Sequence, residues 1–166
     1  MKGSDQAGWA DAFAQHSDAV YHLALVVLRN AEDARDAMQT AFERAWQHRN
    51  RYDTARPMRS WLLAIASHEA ISLARRRRVR AALTLHDSHP AAGPPAQVSL
   101  ELWEAIGSLP ASHRAVVALF YLHGFSIEEI AALLDVPAGT VGSRLHTARR
   151  RLREMLTSDA PQEVPA

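Results

Sequence analysis

The sequence predicts an all-α protein of two small helical domains joined by a flexible linker, the C-terminal domain carrying a helix-turn-helix. Apolar residues recur at three- and four-residue spacing along most of the chain, which indicates amphipathic helices, and no segment alternates as strands do. A stretch rich in Pro, Ala, Ser and His divides the helical regions, which indicates a linker. Near the C-terminus, a capping box and a proline-containing turn predict two short helices in succession.

Composition narrows the classes of function. The 166 residues are 48% hydrophobic and 22% charged, which favours folded cores. Net charge is only +1, and of the six Lys and Arg residues after position 80, five lie within 144–153. The positive field is therefore local. Without cysteine the chain can form neither a disulfide framework nor a thiolate zinc site. No apolar run approaches 18 residues and no signal peptide is evident, so we predict a cytoplasmic protein.

The first domain is predicted to span residues 9–80 as three helices. The first runs from about residue 9 to 28. Asn30 caps the second, which ends near residue 47 and carries a polar, partly acidic face of Glu32, Asp36, Gln39 and Glu43. Pro57 is expected at the first position of the third helix, which ends in the basic run Arg75, Arg76, Arg77, Arg78 and Arg80. Glu69 falls inside the apolar stripe of this helix and requires a rim position or a buried partner.

Residues 81–97 are predicted to be the linker. Seventeen residues reach roughly 55 Å when extended at about 3.3 Å each, enough for two domains to hold separate sites. His86 and His89 have the spacing of metal ligands, but no third ligand accompanies them, so we predict no metal site and no cofactor.

The second domain is predicted over residues 98–156, followed by a disordered tail at 157–166. Its helix-turn-helix begins at a capping box of Ser126 and Glu129, and Pro137 separates its two helices. A helix that reads DNA must present small or polar residues to the major groove, with basic residues nearby for phosphates. The second helix meets this demand, and we predict DNA contacts at Thr140, Gly142, Ser143, Arg144, His146, Arg149 and Arg150. A plain helical hairpin with a solvated basic end is the alternative.

Several motifs in order resemble the extracytoplasmic-function (ECF) sigma factors, the minimal two-domain initiation subunits of bacterial RNA polymerase. Residues 30–46, NAEDARDAMQTAFERAW, are similar to the segment of that family that docks on the polymerase β′ clamp helices. Residues 59–66, RSWLLAIA, are similar to its promoter −10 segment. Leu109-Pro110 and residues 139–149, GTVGSRLHTAR, resemble its −35-reading domain.

The resemblance implies which residues meet which partner. Core polymerase would be bound by Asp33, Asp36, Gln39, Phe42 and Glu43. The −10 element and its backbone would be bound by Trp61, His68, Ser72, Arg75, Arg76, Arg77 and Arg78. The implied partners are core RNA polymerase, through its β′ clamp helices and β flap, promoter DNA and an anti-sigma factor. The resemblance implies no catalytic residues, small-molecule substrate or membrane insertion.

Three positions depart from the family's usual pattern. His68 stands where the family commonly has Asn, Ser72 where it has Asp, and Gly142 where it often has a basic residue. A histidine cannot reproduce the paired donor and acceptor of an amide, so the departures predict an altered promoter preference.

Three alternative functions compete with this interpretation. A stand-alone helix-turn-helix repressor or activator would dimerise and bind half-sites about one turn apart, but no coiled-coil seam supports it. A polymerase-binding antagonist that lacks promoter recognition would also suit the departures. An enzyme is disfavoured because no histidine has a carboxylate or nucleophile partner at motif spacing.

Overall fold

The computed structural model describes residues 2–84 and 91–158, with side chains from residue 6 onward. These residues form seven α-helices and no strand, which confirms the all-α prediction. The helices are α1 (Lys2–Leu28), α2 (Ala31–Gln47), α3 (Met58–Leu83), α4 (Leu100–Gly107), α5 (Ala111–Val117), α6 (Ile127–Leu134) and α7 (Ala138–Ser158). A 3-10 turn (Arg49–Arg51) precedes α3, and a π-helical segment (Ala118–Leu122) continues α5. His86 and His89 lie outside the described residues.

The three N-terminal helices form one packed group. As predicted, Asn30 caps α2: its side chain accepts a hydrogen bond of 2.9 Å from the backbone N–H of Asp33. Pro57 is the N-cap of α3, one position earlier than expected. α1 begins at Lys2, seven residues before the expected start, and α3 continues to Leu83, three residues beyond its expected end.

Glu69 has the buried partner that its place in an apolar stripe requires. Its side chain is only 6% exposed and forms an ion pair with Arg44 of α2. A carboxylate buried without a partner would be costly, so the ion pair with Arg44 offsets the burial of Glu69 between α2 and α3.

The C-terminal helices contain the predicted helix-turn-helix. In the capping box, the Ser126 N–H donates to the Glu129 carboxylate at 2.7 Å, and the Glu129 N–H donates to the Ser126 hydroxyl at 3.2 Å. Asp135 ends α6 in the left-handed region, with φ of 53°. α7 reaches Ser158, so the first two residues of the expected tail are helical, and residues 159–166 lie outside the described part of the chain.

The two groups of helices pack against each other. α1 and α3 contact α5 and α6, and one continuous apolar core contains Leu23 and Leu62 from the first group and Trp103 and Leu119 from the second. The reason lies in α5 and the π-helical segment, where 115–119 is buried at every position. A helix that is apolar on all sides must be covered on all sides. The C-terminal helices cover one side of this segment, and α1 and α3 cover another.

No helix within the described residues is long and apolar enough to cross a membrane.

Candidate nucleic-acid and protein interfaces

The outward face of α7 changes from small to basic along its length. Gly139, Ser143, His146 and Arg150 are all exposed, and their spacing of four, three and four residues places them on one face. The opposite face is buried through Val141, Leu145 and Ala148. Thr140, Gly142 and Arg144 are half-buried at the sides of this strip. A helix with this profile can enter a major groove at its N-terminal end and meet phosphates at its C-terminal end.

The arginines of α7 lie on two different flanks. Arg144 and Arg151 lie on the side of α5, where their positive charges add to burial in lowering the pKa of His113. Arg149 lies on the other side, and its Nε donates a hydrogen bond of 2.6 Å to the hydroxyl of Tyr121. The structure therefore brings Arg144 next to the outward strip and ties Arg149 to the π-helical segment.

One face of α3 carries the residues predicted for the −10 element. Trp61, His68, Ser72 and Arg75 follow at intervals of seven, four and three residues, which places them on one side of the helix. His68 and Arg75 are exposed. The Ser72 hydroxyl accepts a hydrogen bond of 3.0 Å from Arg76. Arg76 itself is exposed. Arg78 is exposed near the end of α3.

Trp61 belongs to an aromatic cluster at the start of this face. Its ring lies 5.0 Å from that of Tyr52 and 5.9 Å from that of Trp9. Trp9 also contacts Trp46 at 6.3 Å, edge to face. Trp9 and Tyr52 were not predicted from the sequence as neighbours of this face. Tyr52, an aromatic residue in an otherwise polar loop, was the signal available.

A second surface, on α2, combines polar groups with exposed aromatic area. The Gln39 amide donates to the Glu43 carboxylate at 3.1 Å, and Asp36 is exposed on the preceding turn. Phe42 is half-buried and stacks on Phe13 at 4.8 Å. Phe13, Gln39, Phe42 and Glu43 border an open, apolar cleft, which suits a protein partner.

Asp33 does not lie on this surface, contrary to expectation. It is 2% exposed and forms an ion pair with Arg77 of α3. The start of α2 faces the C-terminal half of α3, so a carboxylate in the first turn of α2 meets the arginine run. For the same reason Arg77, which was expected to contact DNA backbone, is held by Asp33.

A larger apolar groove runs along α7 beside α4 and the π-helical segment. It encloses about 630 Å³, and its lining includes Leu102, Trp103, Leu122 and Leu156. Leu122 is 47% and Leu156 41% exposed, which is unusual for leucines that lie together. Further lining residues are Val26 of α1 and the arginines Arg149 and Arg153. Among the described residues, no three His, Asp or Glu side chains could hold a metal ion.

The two groups of helices match two family descriptions. "Sigma-70 region 2" covers residues 12–80, and "Sigma-70, region 4" covers residues 99–152. The chain thus has the organisation of a two-region sigma factor. Below, region 2 denotes α1–α3 and region 4 denotes α4–α7.

Named relatives make the assignment more specific. The chain is 32% identical to the ECF RNA polymerase sigma factor SigW of Bacillus subtilis, over 94% of this chain and 92% of that one. It is 37% identical to SigL of Mycobacterium tuberculosis, over 84% and 83%. SigE of Mycolicibacterium smegmatis is 35% identical over 95% of this chain, which spans 66% of that relative's length. The chain belongs to the ECF sigma factors, which confirms the resemblance.

Solved structures agree with this assignment. The sigma factor RpoE in complex with the anti-sigma factor NepR, from Bartonella quintana, matches with a TM-score of 0.75 at 25% identity, over 95% of this chain and 99% of that one. CnrH in complex with the cytosolic domain of CnrY matches with a TM-score of 0.68 at 25% identity, over 93% and 91%.

Proposed function

We propose that this protein is a transcription initiation factor that binds core RNA polymerase, directs it to promoters with specific −35 and −10 elements and assists strand opening. The observation that carries this proposal is the presence of both sigma regions in one chain, each with a partly basic, exposed helix face. The protein acts in the cytoplasm and has no catalytic activity of its own. We assign polymerase binding and the −10 element to a domain of residues 9–80, the −35 element to a domain of residues 98–156, and the link between them to residues 81–97.

The −35 element is read by the outward strip of α7. Ser143 and His146 face the base edges, and Thr140 and Gly142 flank them. Arg144 and Arg150 contact the phosphates on either side. Arg149 has a smaller role, because its hydrogen bond to Tyr121 holds it at the flank.

The −10 element is read by the α3 face. His68 and Ser72 lie at its centre, and Arg75, Arg76 and Arg78 supply backbone contacts. Trp61 forms the end of this face, where the aromatic cluster offers a stacking surface for an unpaired base. Because His68 and Ser72 are the residues that depart from the family pattern, we expect the −10 preference to differ from that of relatives carrying Asn and Asp.

Core polymerase is bound at two places. The α2 surface, formed by Asp36, Gln39, Phe42 and Glu43, takes the β′ clamp helices. The apolar groove along α7 takes the β flap, which would cover Leu122 and Leu156. The arginines at the groove favour acidic residues in the docking segment.

An anti-sigma factor regulates the chain by covering these surfaces. The support is that one similar solved structure is a sigma factor in complex with the anti-sigma factor NepR, and another is CnrH in complex with the cytosolic domain of CnrY.

Transcription in a purified system tests the main proposal. The protein is added to bacterial core RNA polymerase, and run-off transcripts are measured from genomic fragments, beginning with the region upstream of its own gene. Discrete transcripts that core enzyme alone does not produce would support a sigma factor, and their aligned start sites would give both elements. Tight duplex binding by the protein alone, without transcripts, would favour the repressor or activator. Firm core binding without transcripts would favour the antagonist.

A further inference from the structure

The end of α1 is joined to region 4 through Arg29, a residue with an unusual backbone. Its φ of 56° lies in the left-handed region, which residues with side chains adopt infrequently. Its N–H donates to the carbonyl of Leu25 at 2.7 Å and closes the last turn of the helix. A left-handed residue directly after the last helical position is a common way for a helix to end. The remaining polar groups of Arg29 contact segments outside region 2.

Arg29 makes three different contacts with the segments that follow region 2. Its guanidinium donates to the carbonyl of Trp103 in α4 and lies 4.4 Å from the centroid of the Trp103 ring. Its own carbonyl accepts a hydrogen bond of 2.8 Å from the N–H of Ala92. The Ala92 carbonyl in turn accepts a hydrogen bond of 2.7 Å from the Trp103 indole. The end of α1, the connecting segment and α4 therefore form a closed ring of hydrogen bonds.

A second arginine strengthens the same junction. The Nε of Arg114, in α5, donates to the carbonyl of Val27 at 2.8 Å. The carbonyl end of a helix attracts positive charge, and the last turn of α1 has no basic residue of its own. Burial, with the charge of Arg29 as the second cause, lowers the pKa of Arg114 to about 10, so Arg114 is charged at neutral pH. Region 4 thus supplies a cation to the carbonyl end of α1.

The closed arrangement cannot read both promoter elements at once. A compact chain of this size has a radius of gyration of about 15 Å. The designations −35 and −10 place the elements roughly 25 base pairs apart, or about 85 Å at ~3.4 Å per base pair. In addition, α6 lies over the start of α3, where Trp61 and Leu133 line one cleft of about 230 Å³. The two regions must separate before both elements are engaged.

We propose that Arg29 is a latch residue: its contacts with Trp103 and Ala92 hold region 4 against region 2 in the free chain, and their release precedes promoter reading. The hydrogen bonds at Arg29 can be replaced by bonds to water, so the latch opens without leaving a buried group unsatisfied. The role of the open form in promoter reading rests on the proposed function. The contact that holds the two regions together does not.

Two substitutions break the latch in different ways. Arg29→Asn removes the guanidinium but keeps a residue type that tolerates the left-handed region. Gly107→Ala leaves Arg29 in place but adds a Cβ that would lie 2.6 Å from its Cζ, so the flexible end of the arginine must move. Gly93→Ala is the matched control, because a Cβ there meets nothing within 4 Å.

The separation of the regions is measured in the full chain, without polymerase or DNA. The sequence has no cysteine, so Gln15→Cys on α1 and Glu128→Cys on α6, both exposed positions, accept a fluorophore pair for energy transfer. We expect Arg29→Asn to lower the closed-to-open ratio about tenfold, the effect of one or two hydrogen bonds together with a cation–π contact. Gly107→Ala should shift it in the same direction, and Gly93→Ala should leave it unchanged.

Unchanged energy transfer in both Arg29→Asn and Gly107→Ala, with helical circular dichroism intact, would overturn the latch. If Arg29→Asn proved unfolded, the Gly107→Ala result would decide. Because the measurement needs no transcription, a chain that opens on Arg29→Asn but never initiates would uphold the latch and refute the proposed function. A chain that initiates transcription but does not open on Arg29→Asn would support the proposed function and refute the latch.

Discussion

Arg59 of α3 and His123, in the turn after the π-helical segment, meet across the boundary between regions 2 and 4, with Arg59 Nη2 at 2.8 Å from His123 Nδ1. An arginine N–H can only donate, so Nδ1 accepts and the neutral ring carries its proton on Nε2. Burial first, and then the charges of Arg59 and His22, lower the pKa of His123 to about 4. Protonation of His123 would remove the hydrogen bond and place two cations in contact.

Acid is therefore expected to loosen the contact between the regions. A histidine whose pKa is depressed in the closed form contributes fully above its ordinary pKa of about 6.5, and its contribution is lost as pH falls toward 4. Energy transfer between the labelled regions should decline over this window. His123→Gln keeps an acceptor but does not titrate, so it should flatten the decline. His146→Gln, on the exposed face of α7, is the control and should leave the wild-type profile. If His123→Gln left the dependence of energy transfer on pH unaltered, His123 would not be the group that responds to acid.

The buried pair of Glu69 and Arg44 predicts that removing the arginine alone costs more stability than removing both charges. Arg44→Ala leaves a buried carboxylate without its partner and should lower the free energy of unfolding by about 2–3 kcal/mol. This is below the ~3–5 kcal/mol typical of fully buried pairs, because the Arg44 side chain is 53% exposed. Removing both charges, with Glu69→Leu added, should recover part of the loss. Urea unfolding of the two single variants and the double variant measures the coupling. Additive losses would show that the two charges do not interact.

Contacts with DNA and with polymerase should separate by mutation. Arg144→Ala is expected to weaken −35-dependent initiation while binding to core polymerase is unchanged. Gln39→Ala or Asp36→Arg should instead reduce binding to core polymerase, since both residues are exposed on α2 and lie outside the helix that carries Arg144. Binding to core polymerase and run-off transcription are measured separately for each variant. If both classes of variant altered both steps equally, the assignment of surfaces would be wrong.

Arg150 should behave as a phosphate contact. Arg150→Ala is expected to weaken promoter binding by the holoenzyme to a similar degree for different −35 sequences. It should also reduce the slope of log affinity against log salt by about 1. Glu154→Gln, which removes the neighbouring carboxylate at 3.9 Å, should preserve the slope. A loss on Arg150→Ala confined to one −35 sequence would instead identify a base contact.

Gly142 offers a stabilising substitution. A Cβ built there meets nothing within 4 Å, and the residue lies inside α7. Gly142→Ala should therefore raise the free energy of unfolding by roughly 0.5–1 kcal/mol, the difference in helix propensity. Thermal or urea unfolding measures it, with Gly93→Ala outside the helices for comparison. A destabilised Gly142→Ala would show that the open space around this position is filled.

Local signals predicted the elements well because short-range chemistry decides them. The Asn30 cap and the Ser126–Glu129 capping box involve residues three apart, and both form as expected. The sequence showed that a buried Glu69 needs a partner but could not identify it, because Arg44 lies on another helix. Asp33 was misplaced for a related reason: an acidic residue in a first turn suits either solvent or a neighbouring cation, and only packing brings Arg77 to it.

The packing of the two regions on each other was beyond prediction. The sequence of a linker indicates how far it can extend, but not whether the two regions that it joins pack against each other. The apolar run of 115–119 hinted at burial on all sides, yet nothing local indicated that α1 and α3 would supply part of the cover. The contact between Arg29 and Trp103 joins residues 74 positions apart, outside the range of any helical periodicity.

The small residues on and beside the outward strip of α7 have an evolutionary consequence. Gly139 and Gly142 have open space where a side chain would stand, and Ser143 is small and exposed. Larger residues can enter these positions singly without disturbing the buried stripe of Val141, Leu145 and Ala148. Each such change would present a new chemical group to the same base pairs while the scaffold stays constant. Descendants of this chain could therefore acquire new target genes by one-step mutations, without first passing through a poorly folded ancestor.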